Sequence, residues 1–163
     1  MAGTAHPARG SSASRDARLG LLNTELLLTA VRVWGVEILV SGFNYFVLMQ
    51  LMYEPLWGER VAHQIGMSTR IVYIFVFAYL LLSYARGYSR RDLVHVGALW
   101  LTLTLIFEWA GSIFLLRRPV DEILEGLHVE RGYMWPYVLA AYAFSNLIVG
   151  LALKPKRAVT PAV

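Results

Sequence analysis

Charge in this chain is confined to a few short segments, and the intervals between them are apolar. Four intervals are long enough to cross a bilayer, since ~20 predominantly apolar residues span a ~30 Å hydrocarbon core as a helix. They cover about residues 30–52, 66–85, 93–116 and 133–153. In the second, the apolar run proper is Arg70 to Ala85, and Ile65–Thr69 extend it. A soluble domain carries ~25% charged residues along its whole length. Here 57% of residues are hydrophobic and 16% charged. A closed β-barrel is the other fold that satisfies its backbone in lipid, but these runs are continuous and do not alternate with period two. The expectation is an all-α polytopic membrane protein, a four-transmembrane-helix bundle.

Lys and Arg placement sets the expected orientation. Arg9, Arg15 and Arg18 precede the first span, Arg86, Arg90 and Arg91 lie between the second and third, and Lys154, Lys156 and Arg157 follow the fourth. These nine fall on one side of an even-numbered bundle, against five on the other: Arg60, Arg70, Arg117, Arg118 and Arg131. Both termini are therefore expected in the cytoplasm, N-in and C-in. Trp57, Tyr133 and Trp135 at the outer ends, and Trp34, Tyr84 and Tyr88 near the inner ends, suit the membrane–water interface. The net charge of +4 is explained by this topology bias and does not call for nucleic acid.

Residues 1–22, rich in Ala, Gly, Ser and Arg, read as a disordered cytoplasmic tail. Residues 23–154 form the four-helix domain and 155–163 a cytoplasmic C-terminal tail. A signal peptide is not expected, because Asn23, Glu25 and Arg32 interrupt the only apolar stretch that could serve. Both outer loops are expected to hold short amphipathic helices. In 119–132, Val120, Ile123, Leu124 and Leu127 recur at helical spacing opposite acids, bracketed by Pro119 and Gly132. In 55–66, Leu56, Val61 and Ile65 would be the buried face. Absence of cysteine excludes disulfides and thiolate metal sites.

Ionisable residues inside spans are costly unless paired, and so mark functional sites by default. Glu37 and Glu108 are the two strong cases. Glu37, Ser41 and Asn44 share one face of the first helix, and Gly97, Thr104, Glu108, Gly111 and Ser112 share one of the third. Tyr142, Asn146 and Gly150 align on the fourth. Small and polar residues on a common face allow close helix approach and hydrogen bonding in lipid, so these faces are expected to meet in a polar seam. Glu37 stands about seven residues above the inner end of its span and Glu108 about fifteen. At 1.5 Å per residue they would be ~12 Å apart in depth, which argues against a direct carboxylate pair. Arg32 or another inner basic residue is then the expected partner of Glu37. Glu108 would meet Arg117, Arg118, Arg131, His63 or a tyrosine hydroxyl.

Among the histidines, His6 lies in the tail and His95 at the inner start of the third helix. His63 and His128, in opposite outer loops, could converge on Glu108 as a metal set, but no HxxxH or ExxH spacing supports one and no metal is predicted. Haem b is disfavoured because only His95 lies in a span. Motifs for nucleotide binding, serine hydrolysis and zinc peptidases are missing. Cofactors are left open.

Three segments carry a resemblance. They are Tyr53-Glu54-Pro55-Leu56-Trp57-Gly58-Glu59-Arg60 with His63 to Gly66, the run Trp100-Leu101-Thr102-Leu103-Thr104-Leu105-Ile106-Phe107-Glu108, and Gly132-Tyr133-Met134-Trp135. Over about residues 36–153 the chain is similar to an uncharacterised family of small bacterial four-helix integral membrane proteins. The resemblance implies the fold and a bacterial cytoplasmic membrane, and no activity. The family pattern has arginine where this chain has Tyr53 and Tyr133, so an ion pair between those positions and Glu108 does not carry over.

The candidate functional residues are Glu108, Glu37, Thr104, Asn44, Asn146, His63, His128 and Glu54. Three functions fit them. The first is an accessory or structural membrane subunit that binds lipids and a membrane-protein partner or its own copy. The second is a small-molecule or proton-handling protein using Glu108. The third is an enzyme acting on a lipid or quinone at the outer surface, which requires Glu108, His63 and His128 to converge.

Overall fold

The structure is a computed structural model, and it describes residues 24–85 and 87–153. The two tails and Arg86, with most of the basic residues that set the expected orientation, lie outside the described residues. The described chain is helical, with no strands, and four of its helices are long and apolar enough to cross a membrane: α1 (Thr24–Trp57), α2 (Glu59–Tyr84), α3 (Arg90–Leu115) and α5 (Trp135–Ala152). The short α4 (Val120–Glu125) lies between the last two.

Local chemistry fixes the boundaries. Gly58 alone separates α1 from α2, at φ +79°, a conformation that favours glycine. α3 begins at a capping box in which Ser89 Oγ accepts from the Asp92 N–H and Asp92 Oδ2 accepts from the Ser89 N–H. Pro119 precedes α4, Gly132 turns the chain at φ +89°, and Pro136 stands in the first turn of α5, where its missing N–H costs nothing. At the far end of α5, the Tyr88 hydroxyl lies within donating reach of the Gly150 and Leu153 carbonyls.

Three expected boundaries are corrected. The separate outer helix over 55–66 does not exist, because that stretch is divided between the last turn of α1 and the first turns of α2. The loop after α3 does hold a helix, but only over Val120–Glu125, followed by a 3₁₀ turn at Val129–Arg131. α1 also starts at Thr24, six residues before the apolar run suggests.

Around the bundle the order is α1, α2, α5, α3 and back to α1, with α5 packed on both α2 and α3 and α1 more lightly on α3. The diagonals are therefore α1–α5 and α2–α3. α3 and α5 approach so closely at Gly97 that a Cβ there would strike the Ala143 carbonyl. α1 and α3 are tied by two indoles: Trp100 Nε1 donates to the Ala30 carbonyl at 2.9 Å, and Trp34 Nε1 to Thr104 Oγ1 at 2.9 Å. Nearer the termini, Leu26, Leu81 and Val96 are buried in one cluster with Trp100, and the Asn146 amide and Ser83 hydroxyl are buried there without a hydrogen-bond partner.

Both acid-bearing helices change pitch beyond their acid. α1 becomes a π-helix over Asn44–Tyr53 and α3 over Gly111–Leu115. In the first, buried Asn44 and Met49 stand five residues apart, one hydrogen-bond period of a π-helix. Both land on Gly66 of α2: Asn44 Nδ2 donates to its carbonyl at 3.0 Å, and the Met49 side chain fills the space where a Cβ would sit.

A buried cross-brace of charged and hydroxyl side chains as candidate functional site

The expected polar seam exists, and its centre is a residue the sequence reading left at a boundary. Arg70, eleven residues into α2, is only 5% exposed. Its Nη2 lies 2.8 Å from Glu108 Oε1 of α3 and donates to the Tyr142 hydroxyl of α5 at 3.1 Å. Its Nε is 3.9 Å from Glu37 Oε1 of α1, close enough for an ion pair but too far for a hydrogen bond. The guanidinium also faces two rings, 5.3 Å from the centre of Trp135 and 5.6 Å from that of Tyr142, at cation–π distance.

Hydroxyls complete the ligation of Glu37, which is fully buried. Ser41 Oγ donates to Oε1 at 2.7 Å and Tyr142 OH donates to Oε2 at 2.5 Å. A hydroxyl has one proton and two acceptor lone pairs. Tyr142, having given its proton to Glu37, can therefore accept from Arg70. Ser41, having given its own, accepts from Tyr73 OH at 2.9 Å. The chain of contacts thus runs Glu108, Arg70, Tyr142, Glu37, Ser41, Tyr73. Two carboxyl groups face one guanidinium, and Glu108 keeps 31% of its side-chain surface open while Glu37 keeps none.

The expected ~12 Å separation in depth is corrected. The Trp100–Ala30 and Trp34–Thr104 ties set α1 and α3 in a register that brings Glu37 and Glu108 to one guanidinium, that of Arg70. The expected partners also change. Arg32 is exposed and makes no ion pair among the described residues. Arg118 instead donates to Tyr45 OH at 2.9 Å and faces Glu122 at 3.5 Å, and Arg131 pairs with Glu125 at 2.8 Å. Tyr53 lies tilted against Trp57 and Tyr133 meets His63 edge to face, rather than reaching Glu108.

The remaining candidates divide. Thr104 is buried and accepts the Trp34 indole N–H. Asn44 is held by Gly66, with its Oδ1 unpaired. Asn146 is fully buried with neither amide atom paired. His63 Nε2 accepts the Met134 N–H at 3.5 Å, His128 lies 3.2 Å from the Glu125 carbonyl, and Glu54 is exposed at the end of α1. His63 and His128 thus have different partners from Glu108, and among the described residues no group of three His, Asp or Glu is placed to hold a metal ion.

Arg70 and Tyr73 are the site residues that sequence reasoning missed. The signal was present: Val61, Ala62, Ile65 and Met67 continue the apolar pattern past Arg70 to a glycine break at Gly58. Compared with models of known protein families, with curated proteins and with solved structures, the chain matches none.

Proposed function

We propose that the chain is a multi-pass protein of the bacterial cytoplasmic membrane, N-in and C-in, of the small family it resembles, and that it serves as a structural or accessory subunit. The observation that carries this reading is the crossing of two diagonals at one point. Arg70–Glu108 joins α2 to α3, Glu37–Tyr142 joins α1 to α5, and the Arg70–Tyr142 bond joins the braces. In lipid, where apolar surface gives no preference for helix over lipid tail, such polar ties decide how helices associate. The test is Glu108→Gln in the native host. The expected result is reduced folded protein in the membrane and reduced recovery of any co-purifying subunit, with no turnover lost. Normal abundance and assembly would count against it.

A second reading, a proton- or small-molecule-handling protein, draws on the asymmetry between the two acids, because Glu108 alone is partly open. It requires pH-dependent binding or flux in liposomes that Glu108→Gln abolishes. An outer-surface enzyme has no comparable support, given the separate partners of Glu108, His63 and His128.

A further inference from the structure

The cross-brace carries an unequal charge count. Glu37 of α1 and Glu108 of α3 face the same guanidinium, that of Arg70, at 3.9 and 2.8 Å. The other titratable or polar groups joined to them are hydroxyls: Ser41 on α1, Tyr73 on α2 and Tyr142 on α5. Among the described residues no second cation lies within ion-pair distance of either acid. Arg118 pairs with Glu122 and Arg131 with Glu125, while His63 Nε2 accepts the Met134 N–H. With both acids ionised the cluster would hold one negative charge in excess, and an uncompensated charge away from water is costly. When two carboxyl groups share a site in this way, a retained proton belongs to the pair.

The hydrogen bonds distinguish the two acids. Glu37 is sealed, and both of its oxygens are taken, Oε1 by Ser41 and Oε2 by Tyr142. Tyr142 accepts from Arg70, so its own proton is directed at Glu37. Glu108 differs on both counts. Arg70 engages its Oε1, its Oε2 has no hydrogen-bond or ion-pair partner among the described residues, and 31% of its side-chain surface is open. We infer that Glu37 and Glu108 hold one exchangeable proton between them, which enters and leaves through Glu108 Oε2. The ligand of this site is a proton from the medium, and its binding leaves the brace neutral. Its loss would leave one guanidinium between two carboxylates, so the brace is tightest with the proton bound. The inference rests on the membrane reading above, and it holds for an accessory subunit as well as for a proton-handling protein.

The experiment is infrared spectroscopy of the purified full chain at neutral pH in a detergent without carbonyl groups. It reads the C=O stretch of a protonated carboxyl, which is distinct from the bands of carboxylates and amides. The other acids of the described residues stand at helix ends or in the outer loop, where water keeps them ionised. The expected result is an acid band in the parent that shifts at once in D2O. Glu37→Gln and Glu108→Gln should each abolish it, because the remaining acid then faces Arg70 alone. Arg70→Met should raise it about twofold, since neither acid then has a cation. Glu54→Gln, at the end of α1, should leave it unchanged. If Arg70→Met does not fold, the Glu37 and Glu108 variants, checked by circular dichroism, carry the test. Absence of the band from the parent overturns the inference. So does a band that survives in either of those two variants, fails to rise in folded Arg70→Met, disappears in the Glu54 control or stays in place in D2O. Carbonate extraction separates this from failure of the membrane reading. A chain released by alkaline carbonate is not integral, whereas one that resists it but shows no acid band lacks only the shared proton.

Discussion

Arg70 Nη2 reaches Glu108 Oε1 at 2.8 Å across the centre of the bundle, joining two helices that stand at opposite corners of it. Glu37 and Tyr142 do the same for the other two corners. The four helices are thereby held in one register by charged and hydroxyl groups that satisfy one another inside the bundle.

Removal of the central cation leaves two carboxyl groups facing each other without it. Arg70→Met should therefore destabilise the bundle by ~3–5 kcal/mol, the cost of stranding a buried charge. Arg70→Lys should recover little, because one ammonium cannot fork between Glu108 and Tyr142 while lying over two rings. The triple variant Arg70→Met/Glu37→Gln/Glu108→Gln should regain most of the loss, since it removes the charges together. Thermal unfolding in a mild detergent measures all three. If Arg70→Met melts like the parent, the cross-brace does not hold the bundle.

The acids should rank by burial. Glu37 is sealed and accepts from two hydroxyls, whereas Glu108 is 31% open, so Glu37→Gln should lower the melting temperature more than Glu108→Gln. Tyr142→Phe removes both the donor to Glu37 and the acceptor for Arg70, a loss of ~1–3 kcal/mol for buried groups left unpaired. Combined with Glu37→Gln it should cost less than the sum of the single losses, because the same bond is broken in each. Strict additivity would mean that the two side chains act independently, against the 2.5 Å contact.

Much of this was legible in the sequence, for identifiable reasons. The four long helices follow from length and hydropathy, and the faces carrying Glu37, Ser41, Asn44, Thr104, Tyr142 and Asn146 follow from a 3.6-residue period; all six are buried. Arg70 was not recognised because hydropathy alone ends a span at its first charge. A charge satisfied by two acids can lie well inside one. Hydropathy also began the first span at Ala30, where the helix begins at Thr24, and counting depth from the span ends displaced Glu37 relative to Glu108. The π-helical stretches were invisible for a different reason: Asn44 and Met49 share a contact only at a five-residue spacing, which no 3.6-period pattern reveals. Which acid faces which cation depends on the order of helices around the bundle. That order is a tertiary property, and no single helix's pattern encodes it.

Two glycines separate a contact that can give from one that cannot. At Gly97 a Cβ would meet the Ala143 carbonyl, which belongs to the α5 backbone and can move only with that helix. At Gly66 it would meet the Met49 thioether, the far end of a flexible side chain that can turn aside. Gly97→Ala should therefore force α3 and α5 apart, at the upper part of the ~1–3 kcal/mol range for overpacking, and loosen the Trp100–Tyr142 contact between them. Gly66→Ala should cost less, and Gly66→Ala/Met49→Ala should recover part of that cost. Paired thermal melts test the order. Tryptophan fluorescence, dominated in its change by the environment of buried Trp100, should shift in the Gly97 variant and stay close to the parent in the Gly66 variant. Equal losses at the two positions would show that α3 and α5 tolerate separation and that the close approach at Gly97 does not set their packing.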